Sequence, residues 1–245
     1  MIEIHPITGI GEVRPGDDLA ALLLAALNHN GITPRACDIL VVTQKIVSKA
    51  QGRFVSLADV VPGDEAMRLA ELTRKEPRLV ELVLREADGV VRAAPHVLIT
   101  RHRLGHVMAN SGVDRSNIGN GEDDRALLLP VDPDGTAAQL CAQLGLAVVI
   151  SDSFGRPWRM GVVAVAIGAA GLPALIDRRG EIDRDGRILE VTQVALADMI
   201  ATAANLVTGE GAEGIPAALV RGYPLSEGNR PAKDLVRPAA EDLFR

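Results

Sequence analysis

The sequence predicts an α+β fold of mixed sheets with helices, and three observations predict it. Strand-like and helical patterns alternate irregularly along the 245 residues, which argues against a regular doubly wound sheet. Residues 147–150 (AVVI) are apolar without alternation, the mark of a strand covered on both faces. No internal repeat, low-complexity tract or clear linker divides the chain, so residues 1–245 are expected to form one unit, with two intimately packed subdomains as the variant.

Taken in order, residues 2–7 read as a first strand and 8–12 (TGIGE) as a turn. Pro15-Gly16-Asp17-Asp18 opens a helix with an acidic cap, its apolar face formed by Leu19, Leu22, Leu23, Ala26 and Leu27. Asn28-His29-Asn30-Gly31 stops it. Residues 38–42 are a second strand that runs into a polar stretch, 43–53, read as a loop. Residues 64–86 look helical with a break near Pro77, and 90–110 turn to strands, with a hairpin about Leu104-Gly105. The polar stretch 111–124 (SGVDRSNIGNGEDD) is a long loop of the kind that often carries function. Residues 127–130 return to the core, and Asp132-Pro133-Asp134-Gly135 opens a helix through Leu144.

The stretch 147–171 organises the rest. Two strand-like runs flank a polar loop with Asp152, Ser153, Arg156, Trp158 and Arg159, and the chain re-enters the core at Gly161. Charged turns follow at 177–180 and 183–186, then a helix over 191–207 ending in TGEGAEGIP, and a last core strand at 217–220. The tail from Ser226 reads as polar and loosely held.

Composition limits the function. Hydrophobic residues at 47% and charged residues at 24% suit an ordinary globular protein, while 2% aromatics leave the core to Ala, Val, Leu and Ile. Scarce aromatics and a net charge of −6 argue against nucleic-acid binding. Cys37 and Cys141 form no CxxC, so neither a zinc site nor a disulfide framework is expected. No apolar run approaches the roughly 20 residues that span a bilayer, and the N-terminus lacks a basic-then-apolar signal. The expectation is a cytoplasmic protein without a membrane partner.

Four polar clusters interrupt the core elements, at 44–49, 114–117, 152–159 and 209–214. If Asp114, Asp152 and Glu210 converge, they need a counter-charge. Two carboxylates about 4 Å apart repel by about 1 kcal/mol in water and about 4 kcal/mol at an effective dielectric of about 20. Divalent Mg²⁺ or Mn²⁺ takes oxygen ligands of this kind, and the Ser153 hydroxyl could join them. The plainer account makes each acid a cap, a turn former or a solvated charge. GEGAEG could present backbone N–H groups to a phosphate, or simply cap a helix at Gly209. Lys49 could pair with a phosphate or be a surface lysine. No GxxxxGK[ST] and no strand-borne GxGxxG is present, and Ser153 lies outside any GxSxG elbow. His96, His102 and His106 fall in the hairpin with no acidic partner and receive no role.

These blocks together resemble one family, the coenzyme F420-0:L-glutamate ligases (coenzyme F420:γ-glutamyl ligase, CofE). The resemblance covers nearly the whole chain. It rests on GDDL from Gly16, DILVVTQKIVSKAQGR from Asp38, NSGVDRSN from Asn110, LLLPVDPDG from Leu127, ISDSFGRPWRMG from Ile150, AIGAAG from Ala166 and GEGAEGIPAALVRG from Gly209. Gln51 departs from the Glu more usual there and is given no role.

The resemblance implies a CofE-like α+β fold in an intertwined homodimer. It also implies a ligase that uses GTP and two divalent cations, Mg²⁺ or Mn²⁺, with a monovalent cation as a further candidate. Its acceptor would be coenzyme F420-0, to which L-glutamate is added, then a further glutamate through a γ-linkage. Asp114, Asp152, Ser153 and Glu210 fall where the family ligates metal. Lys49, Asn117 and the turn Ile10, Gly11, Glu12, Val13 fall where it holds GTP. So does the run Thr208, Gly209, Glu210, Gly211, Ala212, Glu213, Gly214, Ile215, with Gln44 and Lys45 as a further pair. Lys49 and Asp152 are the candidate catalytic residues. Arg156, Arg159, Arg178 and Arg179 are candidates for substrate phosphate and carboxylates, by inference from charge alone. No C-terminal reductase-like fusion is expected. The competing readings are a ligase of the same mechanism on another carboxylate and a non-catalytic metal and nucleotide binder.

Overall fold

The computed structural model describes residues 1–119 and 124–242; residues 120–123 of the polar loop expected at 111–124 lie outside the described residues. Helices and sheets are mixed, as the irregular alternation predicts. The main sheet has the order β1 (Glu3–Ile7), β12 (Ala217–Arg221), β2 (Ile39–Thr43), β8 (Ala147–Arg156) and β9 (Arg159–Ala170). Only β2 and β8 pair in parallel; their neighbours pair antiparallel.

The central strands are apolar throughout because each face has its own cover. Leu40, Val42, Val148, Ile150 and Leu219 enter one core with α1 (Leu19–His29) and α5 (Pro133–Leu144). Ile39, Val41, Val149, Ala218 and Val220 enter the other, against α6 (Leu196–Thr208). Alanines line the second contact, Ala197, Ala201 and Ala204 meeting Ala164, Ala166 and Ala169, so the core closes without large rings. Gly168 lets α5 come close: a Cβ there would stand 2.5 Å from the Pro133 carbonyl oxygen.

The helix caps follow the sequence. Asp18 accepts from the Ala21 N–H and Asp132 from the Gly135 N–H. A third core packs α3 (Asp64–Thr73) and α4 (Pro77–Glu86) against β5 (Val97–His102), through Leu69, Val80, Val83 and Leu98. Arg74 in the left-handed region ends α3, and Pro77 begins α4, which is the predicted break. β5 pairs with β4 (Ala87–Ala94) and with β6 (Val107–Ala109), the expected hairpin. The short β3 (Phe54–Ser56) pairs with β7 (Arg125–Leu127).

Five expectations are corrected. The polar stretch after β2 is a helix, α2 (Gln44–Ala50), because Ile46 and Val47 pack into the first core and fix the turn between them. The loop expected at 152–159 is strand, since β8 and β9 continue past the sheet as a two-stranded ribbon that turns at Pro157-Trp158. There each strand satisfies the other's backbone, so polar side chains cost nothing. The helix expected from 191 starts at Leu196; before it, β11 (Gln193–Val194) pairs with β10 (Ile176–Asp177). The tail is tied down rather than loose: Ala232 is fully buried, and its N–H and that of Lys233 donate to Asp134. Buried His102 does have an acidic neighbour, Glu86, 3.6 Å from its Nε2 and also bonded to Arg53 and Arg103.

The far end of the sheet is locked by a buried pair. Asp38 is 1% exposed and accepts from Arg221 Nη2 at 2.6 Å, Arg221 Nε at 2.9 Å and the Arg35 N–H at 2.8 Å. Burial pushes this carboxyl up, but the bonds from Arg221 and Arg35 outweigh it and leave it below the usual 3.8. A lowered acid stabilises the fold while ionised, and that contribution disappears as pH falls through the lowered value. Asp38→Asn should therefore lose about 2 kcal/mol in urea denaturation at neutral pH. The gap to wild type should close below the ordinary value of 3.8.

Candidate active site

Strand pairing brings the candidate residues to one end of the main sheet. In the β2–β8 register Thr43 faces Ser151, so the next residues, Gln44 and Asp152, emerge side by side. The antiparallel β12 begins at the same end, and the Thr43 N–H donates to the Pro216 carbonyl at 2.9 Å. β1 also ends there, with Ile7 opposite Ala217. Crevices beyond the carboxyl ends of parallel strands are where such sheets bind ligands.

A cavity of about 540 Å³ occupies this end. The loop after β1 supplies Ile10, Gly11, Glu12 and Val13, and α2 supplies Gln44, Lys45 and Lys49. β8 contributes Asp152 and Ser153, and the stretch after α6 contributes Thr208, Gly209, Glu210, Gly211, Ala212, Glu213, Gly214 and Ile215. Asn117 closes the rim. Every residue the sequence nominated for the nucleotide thus faces one space. Asp114 stands just behind it, bonded to Gln44 Nε2 at 3.0 Å and Lys45 Nζ at 2.5 Å. Arg156, Arg159, Arg178 and Arg179 do not line the cavity. Arg178 pairs with Glu181, Arg179 with Asp177, and Arg156 donates to the Met160 carbonyl.

The acids fall into two groupings. Asp114 accepts from the Gln44 amide and its charge acts on Asp152, while the Ser153 hydroxyl donates to Glu210 at 2.7 and 2.8 Å. Burial, then the Asp114 charge, push the Asp152 carboxyl up to about 7. Among the described residues no three His, Cys, Asp or Glu side chains stand close enough to share one ion. Adjacent Asp152 and Ser153 join the two groupings along β8. This oxygen donor set, with two crowded carboxylates lacking a full counter-charge, suits hard divalent cations.

Lys49 is 6% exposed and lies on α2, not in a loop. Its Nζ meets Glu12 Oε1 at 2.6 Å, which keeps a buried ammonium paired. The surrounding loops are tied to one another. Asn30 grips Thr8, accepting from its hydroxyl at 2.8 Å and donating to its carbonyl at 2.9 Å. Asn117, in the left-handed region, donates to the Gly211 carbonyl at 3.1 Å. Glu213 accepts from the Gly211 N–H at 2.8 Å and fills the space a Cβ on Gly209 would take.

Residues 9–222 match the family described as F420-0:Gamma-glutamyl ligase. The chain belongs to that family. A relative named Coenzyme F420:L-glutamate ligase from Methanothermobacter thermautotrophicus is 44% identical, covering 100% of this chain and 99% of its own length. Relatives of the same name from Methanopyrus kandleri and Natronomonas pharaonis are 44% and 42% identical, again over 100% of this chain, and over 98% and 95% of their own lengths. No helix among the described residues of this family member is long and apolar enough to cross a membrane.

Sequence reasoning missed Asn30, Ser48 and Asn205. Ser48 is fully buried beneath Gln44, and Asn205 Nδ2 donates to the Gly209 carbonyl at 3.1 Å. Ser48 lay inside the polar cluster 44–49 that the sequence singled out, while Asn205 carried no comparable signal. Asn30 read only as a helix stop.

Gly209 adopts φ 70° and ψ −178°, a region essentially closed to side chains. A Cβ would also stand 2.2 Å from Glu213 Cδ. Gly209→Ala should cost about 1–3 kcal/mol by chemical denaturation. It should also speed hydrogen exchange of the 211 amide that Glu213 holds.

Proposed function

We propose that this chain is a GTP-dependent ligase that joins L-glutamate to coenzyme F420-0 and then adds a further glutamate through a γ-linkage. The names of the relatives support the glutamate and F420 parts of this reading. One observation carries the rest: a single cavity gathers backbone-rich loops, a buried lysine and a surplus of carboxylates. Glu12, Asp152, Glu210 and Glu213 line it against Lys45 and Lys49, and both lysines are already paired with acids. Such a lining repels a triphosphate unless cations come with it.

Asp114, Asp152, Ser153 and Glu210 would hold two divalent cations. Bound there, the cations would neutralise charge on the terminal phosphate oxygens. Lys49 would exchange Glu12 for a phosphate oxygen and act as a fixed positive charge. The N–H groups of the 209–214 loop and the 10–13 turn would cradle the rest of the nucleotide. A carboxylate is a poor electrophile, so the γ-phosphoryl group moves first to the acceptor carboxylate, giving an acyl phosphate and GDP. The glutamate amine then attacks the acyl carbon, phosphate leaves with the bonding pair, and the amine gives up a proton. Alignment of these groups in one site would supply much of the acceleration.

A homodimer belongs to the same reading. Met160 is 96% exposed on the β8–β9 ribbon, and Ile182, Ile188, Val191 and Leu206 are between 66% and 83% exposed. So much apolar surface suits a protein contact.

Mass spectrometry of F420-0 incubated with the protein, GTP, Mn²⁺ and L-glutamate should show added glutamyl units. No mass gain would favour another acceptor or a mere binder. Asp152→Asn should cut turnover more than about a hundredfold. Its thermal midpoint without metal should hold or rise, because ionised Asp152 faces Asp114 in a buried setting that raises its pKa to about 7. Normal turnover by this variant would refute the metal assignment.

A further inference from the structure

We infer that Ser48, acting through Gln44, is a positioning residue that holds the Asp114 and Asp152 carboxylates in place for a cation. The inference rests on the reading that these acids ligate divalent metal.

Gln44 and Ser48 lie one turn apart on α2 and so share a face. Gln44 is 2% exposed and Ser48 is fully buried. The Gln44 amide nitrogen donates to Asp114 Oδ2 at 3.0 Å, and the β2–β8 register sets Asp152 beside Gln44. A side-chain amide has two N–H bonds, so it can serve both acids, one from the loop before β7 and one from β8. That leaves its carbonyl oxygen pointing away from them. Ser48 Oγ donates to this Oε1 at 2.9 Å.

The arrangement has a direction. Turned over, the amide would set its oxygen against two carboxylates, a repulsive contact in a poorly solvated place. Ser48 gives the favoured orientation a partner and makes the reversed one lose it. Alanine at 48 would leave a buried carbonyl oxygen without a donor, and so loosen the amide that spaces the acids. Lys45 also reaches Asp114, at 2.5 Å. Groups that orient ligands from behind typically change metal affinity by about 10–100-fold.

The test is Mn²⁺ binding to the full chain without nucleotide, read by the paramagnetic resonance signal of free Mn²⁺. Wild type, Ser48→Ala, Gln44→Ala and the double variant form a cycle. Ser48→Ala should weaken Mn²⁺ about tenfold, and Ser48→Thr, which keeps the hydroxyl, should restore most of the loss. On the Gln44→Ala background Ser48→Ala should change nothing further, a result that simple loss of helix packing would not give. Should Ser48→Ala fail to fold by circular dichroism, Ser48→Cys, a weak donor of similar size, takes its place with the same expected loss. Affinity within twofold of wild type overturns the inference, as does a full loss repeated without Gln44. Wild type that binds no Mn²⁺ overturns the metal reading itself, and the inference with it.

Discussion

The parallel pairing of β2 with β8 is the constraint on which the rest depends. Parallel strands must be joined by a long crossover, here some hundred residues that include the whole third core and α5. Their ends therefore finish at one edge although they are distant in sequence. Thr43 opposite Ser151 sets Gln44 against Asp152, and a slip of one residue would send one of them to the wrong face. The antiparallel strands on either side add the β1 turn and the loop before β12 to the same edge.

Charge at that edge is managed by pairing. Two lysines sit in a low-exposure setting, each against an acid, Lys45 with Asp114 and Lys49 with Glu12. Neither ammonium is left without a partner. The acids outnumber them, so the site favours positive guests over anionic ones. On the proposed reading, a polyanionic nucleotide and a cation set would each be the other's condition for binding.

Loops around the cavity are held by side-chain amides and carboxylates bonding to backbone. Asn30 holds Thr8, Asn117 holds Gly211, Asn205 holds Gly209, and Glu213 folds back on Gly211. These bonds satisfy peptide groups that no strand or helix could reach, and they give irregular chain a defined shape. The glycine that follows α6 is also part of the cavity wall.

Sequence by itself determined most of the elements. Caps at Asp18 and Asp132, the break at Pro77 and the apolar run of β8 all declare themselves locally, because capping and burial act over a few residues. The acidic and glycine-rich clusters were legible for the same reason. Helix α2 was not, since its polar residues face a cavity that sequence cannot display, and the β8–β9 ribbon was read as loop because its partner strand, not a core, supports it. What only the tertiary structure decided is which polar groups meet. Gln44 on Asp114, Glu12 on Lys49, and Glu86 beside His102 are contacts across 70, 37 and 16 positions, created by strand register and packing rather than by spacing along the chain.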